Sequence, residues 1–266
     1  MFSFLKKNKI IEEEKNGVKA IESNTFVLFV RMLFMTLVNL YTVRCVLNGL
    51  GLIDYGILNA VAGIVTASTC LSSVLALSTQ RFYSFAIGKG QFEHLKEIFS
   101  VSINLVVILS IILFIIFVTL GLWFVNTQLS IPIIRLSAAK WLLILSLISF
   151  IFSVLQIPYM GAVFAHEDMK IYAFISILDC LLKLMVAINI QNTPIDSLIF
   201  YGIGFSIIAL FDLLAYIVIA KRRYKECRYV KVKSKETMKK LISFSGWTFY
   251  GSVAGVGMTQ GSTILL

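Results

Sequence analysis

Charge is scarce in this chain. Asp, Glu, Lys and Arg make up 14% of its 266 residues, against about 25% in a soluble domain. With 58% hydrophobic residues and a mean hydropathy of +0.89, that scarcity excludes an ordinary soluble fold and indicates a polytopic membrane protein. Only four cysteines occur, Cys45, Cys70, Cys180 and Cys227, and no CxxC spacing joins them. They read as reduced thiols and give no structural metal site. The histidines are His94 and His166 alone, with no metal-ligand spacing, GxSxG elbow or glycine-rich phosphate loop beside them. No cofactor or metal is expected. No cleavable signal peptide is expected either, because the first apolar run is too long for an h-region and follows a charged tail of two dozen residues.

What charge there is lies between long apolar runs. Residues 1–24 form a mixed basic and acidic tail, with Lys6, Lys7, Lys9, Lys15 and Lys19 against Glu12, Glu13, Glu14 and Glu22. Six runs then follow that are long enough to cross a bilayer: 25–47, 57–78, 101–125, 141–165, 171–189 and 197–220. A glycine-rich turn over 48–56 separates the first two, and the segment 80–99 reads as an interfacial loop. Span 3 is the most uniformly apolar and is expected to face lipid most. Pro158 interrupts span 4 near its end, so Ser153, Gln156 or a neighbouring helix must satisfy the freed carbonyl. The expected fold is therefore all-α, a polytopic bundle of six transmembrane helices plus the start of a seventh. Its parts are the tail 1–24, a six-helix lobe 25–220, a basic linker 221–240 and a further start over 241–266.

Orientation follows from Lys and Arg in the short loops. The tail and the loops after spans 2, 4 and 6 carry nineteen of them, ten within 221–240, whereas the loops after spans 3 and 5 carry two and none. The N-terminus is expected inside, at the cytoplasmic face of a multi-pass protein. The net charge of +10 fits that bias and contact with anionic lipid rather than nucleic acid.

A few polar residues within the spans are the candidate site. Arg31 lies about two turns into span 1, where an arginine costs roughly 2.5–3.5 kcal/mol at the helix centre unless water or an anion meets it. In span 2, Asn59, Gly63, Thr66, Cys70 and Ser73 form one stripe along a helix face. The stripe suits either close helix packing or the lining of a cavity. On span 5, Tyr172, Ser176, Asp179 and Lys183 share a face, and the Asp179–Lys183 spacing lets the pair neutralise itself. Asp212 lies in span 6. Arg31, Asp179, Lys183 and Asp212 lie at depths compatible with one shared site. Asp179 and Asp212 are candidates to bind a coupling proton or Na⁺. Purely structural roles stand beside these: Arg31 and Arg44 snorkelling to opposite interfaces, and Asp179 with Lys183 as a self-neutralising pair.

Several segments resemble a family. Leu47-Asn-Gly-Leu-Gly-Leu-Ile-Asp-Tyr-Gly-Ile-Leu-Asn59, Gln80-Arg-Phe82, Gln156-Ile-Pro-Tyr159, Ala165-His-Glu-Asp-Met-Lys170 and Ser243-Phe-Ser-Gly-Trp247, with Gln260-Gly261, resemble bacterial Wzx-type flippases. These are O-antigen and polysaccharide repeat-unit transporters of the MATE-like MOP superfamily. The resemblance runs from about Asn24 to the last residue. It implies two six-helix lobes around a central cavity, of which this chain would supply the first and the start of the second. It also implies transport of an undecaprenyl-diphosphate-linked oligosaccharide from the cytoplasmic to the periplasmic face of the bacterial inner membrane, by ion-coupled alternating access. Arg31 is the position that matches a recurrent cavity arginine of related flippases, and the resemblance makes Arg31, Lys183, Asn39 and Thr42, with Asn59 and Thr66, the candidates to bind the diphosphate-linked substrate, since arginine offers a bidentate fork to phosphate oxygens. Expected partners are the lipid-linked substrate, membrane lipids, and either the polymerase and glycosyltransferase machinery or a missing second lobe. The length leaves open a truncated gene product, a fragment or a half-transporter. An integral-membrane enzyme of lipid-linked glycan synthesis is the main alternative, with His166, Glu167 and Asp168 as its only surface cluster. A capping turn at the start of span 5 explains those acids as well, so the chain is not expected to be an enzyme. A seven-helix receptor or scaffold is the third reading.

Overall fold

The computed structural model describes residues 2–129, 131–230 and 234–265, and the side chains of 22–66, 68, 69, 71–129, 131–230 and 234–251. Among them the chain is all-helical: α1 (Phe2–Gly88), α2 (Phe92–Thr127), α3 (Ile133–Leu155), α4 (Ile157–Ala165), α5 (Met169–Asn189) with a 3₁₀ turn at Ile190–Asn192, α6 (Ser197–Arg223) and α7 (Lys235–Leu265). Five segments are long and apolar enough to cross a membrane: Glu22–Thr66, Phe92–Thr127, Ile133–Ala165, Met169–Asn192 and Ser197–Arg223. The chain is thus a helical bundle of multi-pass membrane character.

The expected turn over 48–56 is instead a single break within α1. Gly51 alone leaves helical geometry, at φ 76° and ψ 174°, a region essentially closed to residues with a Cβ. Helical bonding resumes at once on both sides, so α1 has two arms. The arm before Gly51 runs parallel to α5, as shown by contacts at nearly constant offset: Asn24 Nδ2 donates to the Glu167 carbonyl and Gln191 Nε2 to the Asn48 carbonyl, each at 3.2 Å. The arm after Gly51 runs parallel to α3 and α4, with Asp54 against Arg135 at one end and Thr79 against Gly161 at the other. α6 runs antiparallel to α5, so close that a Cβ on Gly204 would fall 2.7 Å from Val186 Cγ1.

Two expected boundaries move. The segment 80–99 is helix on both sides of a short turn, and its Tyr83 and Phe99 are buried in the core against Tyr159. Phe99 packs edge-on against Tyr159 there, with ring centroids 5.4 Å apart. Span 4 begins at Ile133, and the Gln156 N–H meets the Val154 carbonyl at the break before Pro158. The lipid-facing expectation for span 3 is also corrected. The most apolar window of α2 is 28% buried, whereas that of Glu22–Thr66 is 0% buried. Small residues on α2 permit this: Ser102, Ser110 and Gly121 are buried, and Gly121 packs on Leu143.

The two ends of the bundle are tied differently. At the end that holds 48–56, 131–133 and 190–196, Arg135 bridges Asp54 and Asp196, while Asp196 also caps α6 by accepting from the Leu198 N–H at 3.0 Å. At the other, basic end, the chain after α6 folds back on the bundle. Tyr224 stacks on His166 with ring centroids 4.3 Å apart, its hydroxyl donates to Asp168, and Glu226 meets His166 Nε2. The Val230 N–H then donates to Ser100 Oγ at 2.9 Å. The capping role expected for the acids of 166–168 is therefore corrected: Asp168 is the N-cap of α5 but makes no side-chain cap bond, because its carboxylate is engaged by Tyr224 and Arg223. Burial and the adjacent Asp168 carboxylate push the Tyr224 phenol up, and burial beside Glu226 pushes the Cys227 thiol up to about 12.

Candidate functional site

Between the two arms of α1 and helices α3, α5 and α6 lies a cavity of about 450 Å³. It exists because each facing stretch places small or hydroxylated residues where leucine would close the gap. The second arm of α1 contributes Asn59, Ala62, Thr66, Thr69 and Ser72; α3 contributes Ser146, Ser149 and Ser153; α6 contributes Gly202 and Ala209. Most of these hydroxyls are first satisfied by their own helix. Thr66 Oγ1 donates to the Ala62 carbonyl at 2.8 Å and Ser153 Oγ to the Ser149 carbonyl at 3.1 Å. Their oxygen lone pairs stay available to a ligand. Tyr55, Tyr201 and Phe205 add aromatic faces to the same wall.

The cavity's charges lie between α5 and α6. Lys183 Nζ donates to Asp179 Oδ2 at 2.8 Å and sits 5.5 Å from the Phe205 ring centroid. Asp212 faces that pair from α6. Two carboxylates thus lie beside one ammonium, which is paired with Asp179. Asp179 Oδ1 and Asp212 Oδ1 are both buried and meet no protein donor, and the two carboxylates approach each other closely. In a membrane interior such groups carry a large desolvation cost unless a cation, proton or water meets them.

Thr42, Asn59, Thr66, Lys183, Asp179 and Asp212 all line this cavity, so six of the eight candidates meet in one place. Arg31 and Asn39 do not. The Arg31 Cζ lies over the Tyr172 ring, 4.3 Å from its centroid, and its Nη2 donates to the Tyr172 hydroxyl at 3.1 Å, while its Nε is buried with no protein partner. Neither Arg31 nor the Tyr172 ring beneath it is part of the cavity lining. Asn39 Oδ1 takes a weak bond from the Cys180 thiol at 3.7 Å. In the stripe of span 2, Asn59 and Thr66 line the cavity, whereas a Cβ on Gly63 would meet nothing within 4 Å, so no close helix packing occurs there. Cys70 lies outside the described side chains. Arg44 is exposed, as a snorkelling residue would be.

The serines of α3 escaped the sequence reading, although Ser146, Ser149 and Ser153 recur at i, i+3 and i+7, the spacing of one helix face. The Arg135 bridge escaped it because nothing local links 54, 135 and 196. Among the described residues no group of three or more His, Cys, Asp or Glu is placed to hold a metal ion. Comparison of the chain with models of known families, with curated proteins and with solved structures finds no match in any of the three.

Proposed function

We propose that the chain forms part of a membrane transporter that flips a lipid-linked oligosaccharide, in keeping with the resemblance of its loop motifs to Wzx-type flippases. The observation that carries this reading is the chemistry of the cavity wall inside an apolar bundle. Hydroxyls from three helices, the Asn59 amide and aromatic faces offer what a sugar needs: short acceptors and donors, and flat apolar surfaces for its C–H faces. The cavity's own charges argue against placing the diphosphate there, since two carboxylates outnumber one ammonium. Asp179 and Asp212 suit a coupling cation instead. The phosphate is assigned to Arg31, whose free Nε lies toward the basic end, nearer the level of lipid headgroups. By the distribution of Lys and Arg that end is cytoplasmic, in the inner membrane of a bacterium.

The alternative of a surface enzyme draws on His166, Glu167 and Asp168. His166 and Asp168 are engaged with Glu226, Tyr224 and Arg223, which leaves the cavity as the better functional centre. The test is export of surface polysaccharide in cells that depend on the protein. Arg31→Ala and Asn59→Leu with Thr66→Val should each abolish export and leave lipid-linked oligosaccharide on the inner leaflet, with normal membrane levels of the protein. Wild-type export by all of these variants would sink the reading.

A further inference from the structure

A second hollow of different character lies on the outside of the bundle, between the second arm of α1, α2 and α7. It has a volume of about 300 Å³ and is lined by leucines, Leu75, Leu105, Leu109 and Leu113 among them, with Ile242 and Phe249 closing it from α7. Its one polar side chain among the described residues is Ser245, nine-tenths buried, with an Oγ that bonds to no protein group. Toward the basic end the groove continues, through the shared residue Ile242, into a further hollow of about 320 Å³ that includes Lys235, Lys239 and Ser243. Lys240 is held by Glu236 at 2.7 Å, whereas Lys235 and Lys239 are exposed and make no ion pair among the described residues.

The order along α7 is therefore two free ammonium groups, then one orphaned hydroxyl, then an apolar slot. Six residues separate Lys239 from Ser245, about 9 Å along a helix, and Phe249 lies about 6 Å further. An anionic glycerophospholipid has its groups in the same order: phosphate, ester carbonyl, acyl chain. We propose that this groove binds one acyl chain of such a lipid, with its phosphate on Lys235 and Lys239 and an ester carbonyl accepting from Ser245. Each part meets a need of the protein: the lysines gain an anion, the serine gains an acceptor, and the leucines gain a chain that fills the slot. An isoprenoid diphosphate would leave Ser245 unmet because it has no ester carbonyl below its phosphates, and free phosphate would leave the slot empty. The site requires only that the chain sits in a membrane, so it stands or falls separately from the transport reading.

Trp247 reports on it from the neighbouring side of α7: it is exposed and lines a separate hollow that shares Lys239 and Ser243 with the one described, and the width of a helix, about 10 Å, keeps it within quenching range of a label in the slot. The full chain carrying Trp123→Phe and Trp141→Phe keeps Trp247 as its sole tryptophan. It would be reconstituted in phosphatidylcholine vesicles containing either acyl-chain spin-labelled phosphatidylglycerol or the matching labelled phosphatidylcholine. We expect Trp247 quenching to show a preference for the anionic label of roughly tenfold or more, two lysines contributing a factor of about five each. Lys235→Gln with Lys239→Gln should remove the preference. Gly246→Leu should reduce it by filling the slot, without harm to the helix, since a Cβ at Gly246 meets nothing within 4 Å and leucine favours helix over glycine. Equal quenching by the two labels, or a preference that survives either variant, would overturn the proposal. Quenching by neither would overturn it too, by showing that protein, from a second copy or from further chain, covers the groove.

Discussion

Replacing Arg135 with methionine keeps an unbranched apolar stem and removes the cation that joins the start of α3 to Asp54 of α1 and to Asp196, the N-cap of α6. Asp54 is the partner that suffers, because its side chain retains only 4% of its exposure. Breaking a buried pair by removing one partner costs about 3–5 kcal/mol. Arg135 is itself 32% exposed, so solvent screens part of the attraction and the expected loss is about 2–3 kcal/mol. That raises the unfolded-to-folded ratio roughly 30- to 160-fold. Asp196 should hold its place better, since it still caps α6 through the Leu198 N–H.

Reversible unfolding in mixed micelles, followed by far-UV circular dichroism, reads this directly. Asp54→Asn in the Arg135→Met background should recover at least half of the loss, because the neutral amide no longer carries an uncompensated charge. A double-mutant cycle over the two sites that gives a coupling below about 0.5 kcal/mol, the level seen for independent sites, would refute the reasoning.

Two further outcomes follow from other sites. Cys227 is 1% exposed and its thiol is pushed up to about 12 by burial beside Glu226, so at pH 8 its thiolate, and with it maleimide labelling, should fall on the order of a thousandfold below that of an ordinary cysteine. Labelling at an ordinary rate would show the 224–230 segment detached. Since its folded pKa lies above the unfolded value, the stability that Cys227 contributes should be complete below about pH 8.5 and be lost as pH rises from there toward 12. Asp179→Asn should shift the unfolding midpoint further than Asp179→Asn with Lys183→Met, which leaves no unpaired ammonium, while both abolish transport. Recovery of transport in the double variant would make the pair structural only.

The membrane character and most helix positions were legible because they depend on local composition. A run such as 101–125 is apolar whatever surrounds it. Its burial was not legible, since how much of α2 faces lipid depends on where Ser102, Ser110 and Gly121 meet α1, α3 and their neighbours. Six of the eight candidate residues converge on one cavity because polar groups inside apolar helices seek one another in a medium that cannot solvate them. Arg31 departs from that set for a related reason. An arginine with an aromatic ring one helix away satisfies its flat face by stacking, and the position of Tyr172 on α5 cannot be read from the residues around 31.

Gly51 shows where local and global signals part. The sequence 48–56 carries three glycines, which by local rules reads as a loop. Only Gly51 takes a conformation that a side chain forbids, while Gly49 remains helical and is needed for another purpose: a Cβ there would fall 2.9 Å from Ile190 Cγ2. The first glycine of the motif thus lets α1 approach the end of α5, and the second turns the chain. An alanine at Gly51 would meet no neighbour but would strain the backbone, whereas an alanine at Gly49 would keep an ideal helix and push α5 away. Equal residues in one short motif therefore serve opposite ends, one conformational and one steric, and only the positions of the neighbouring helices separate them.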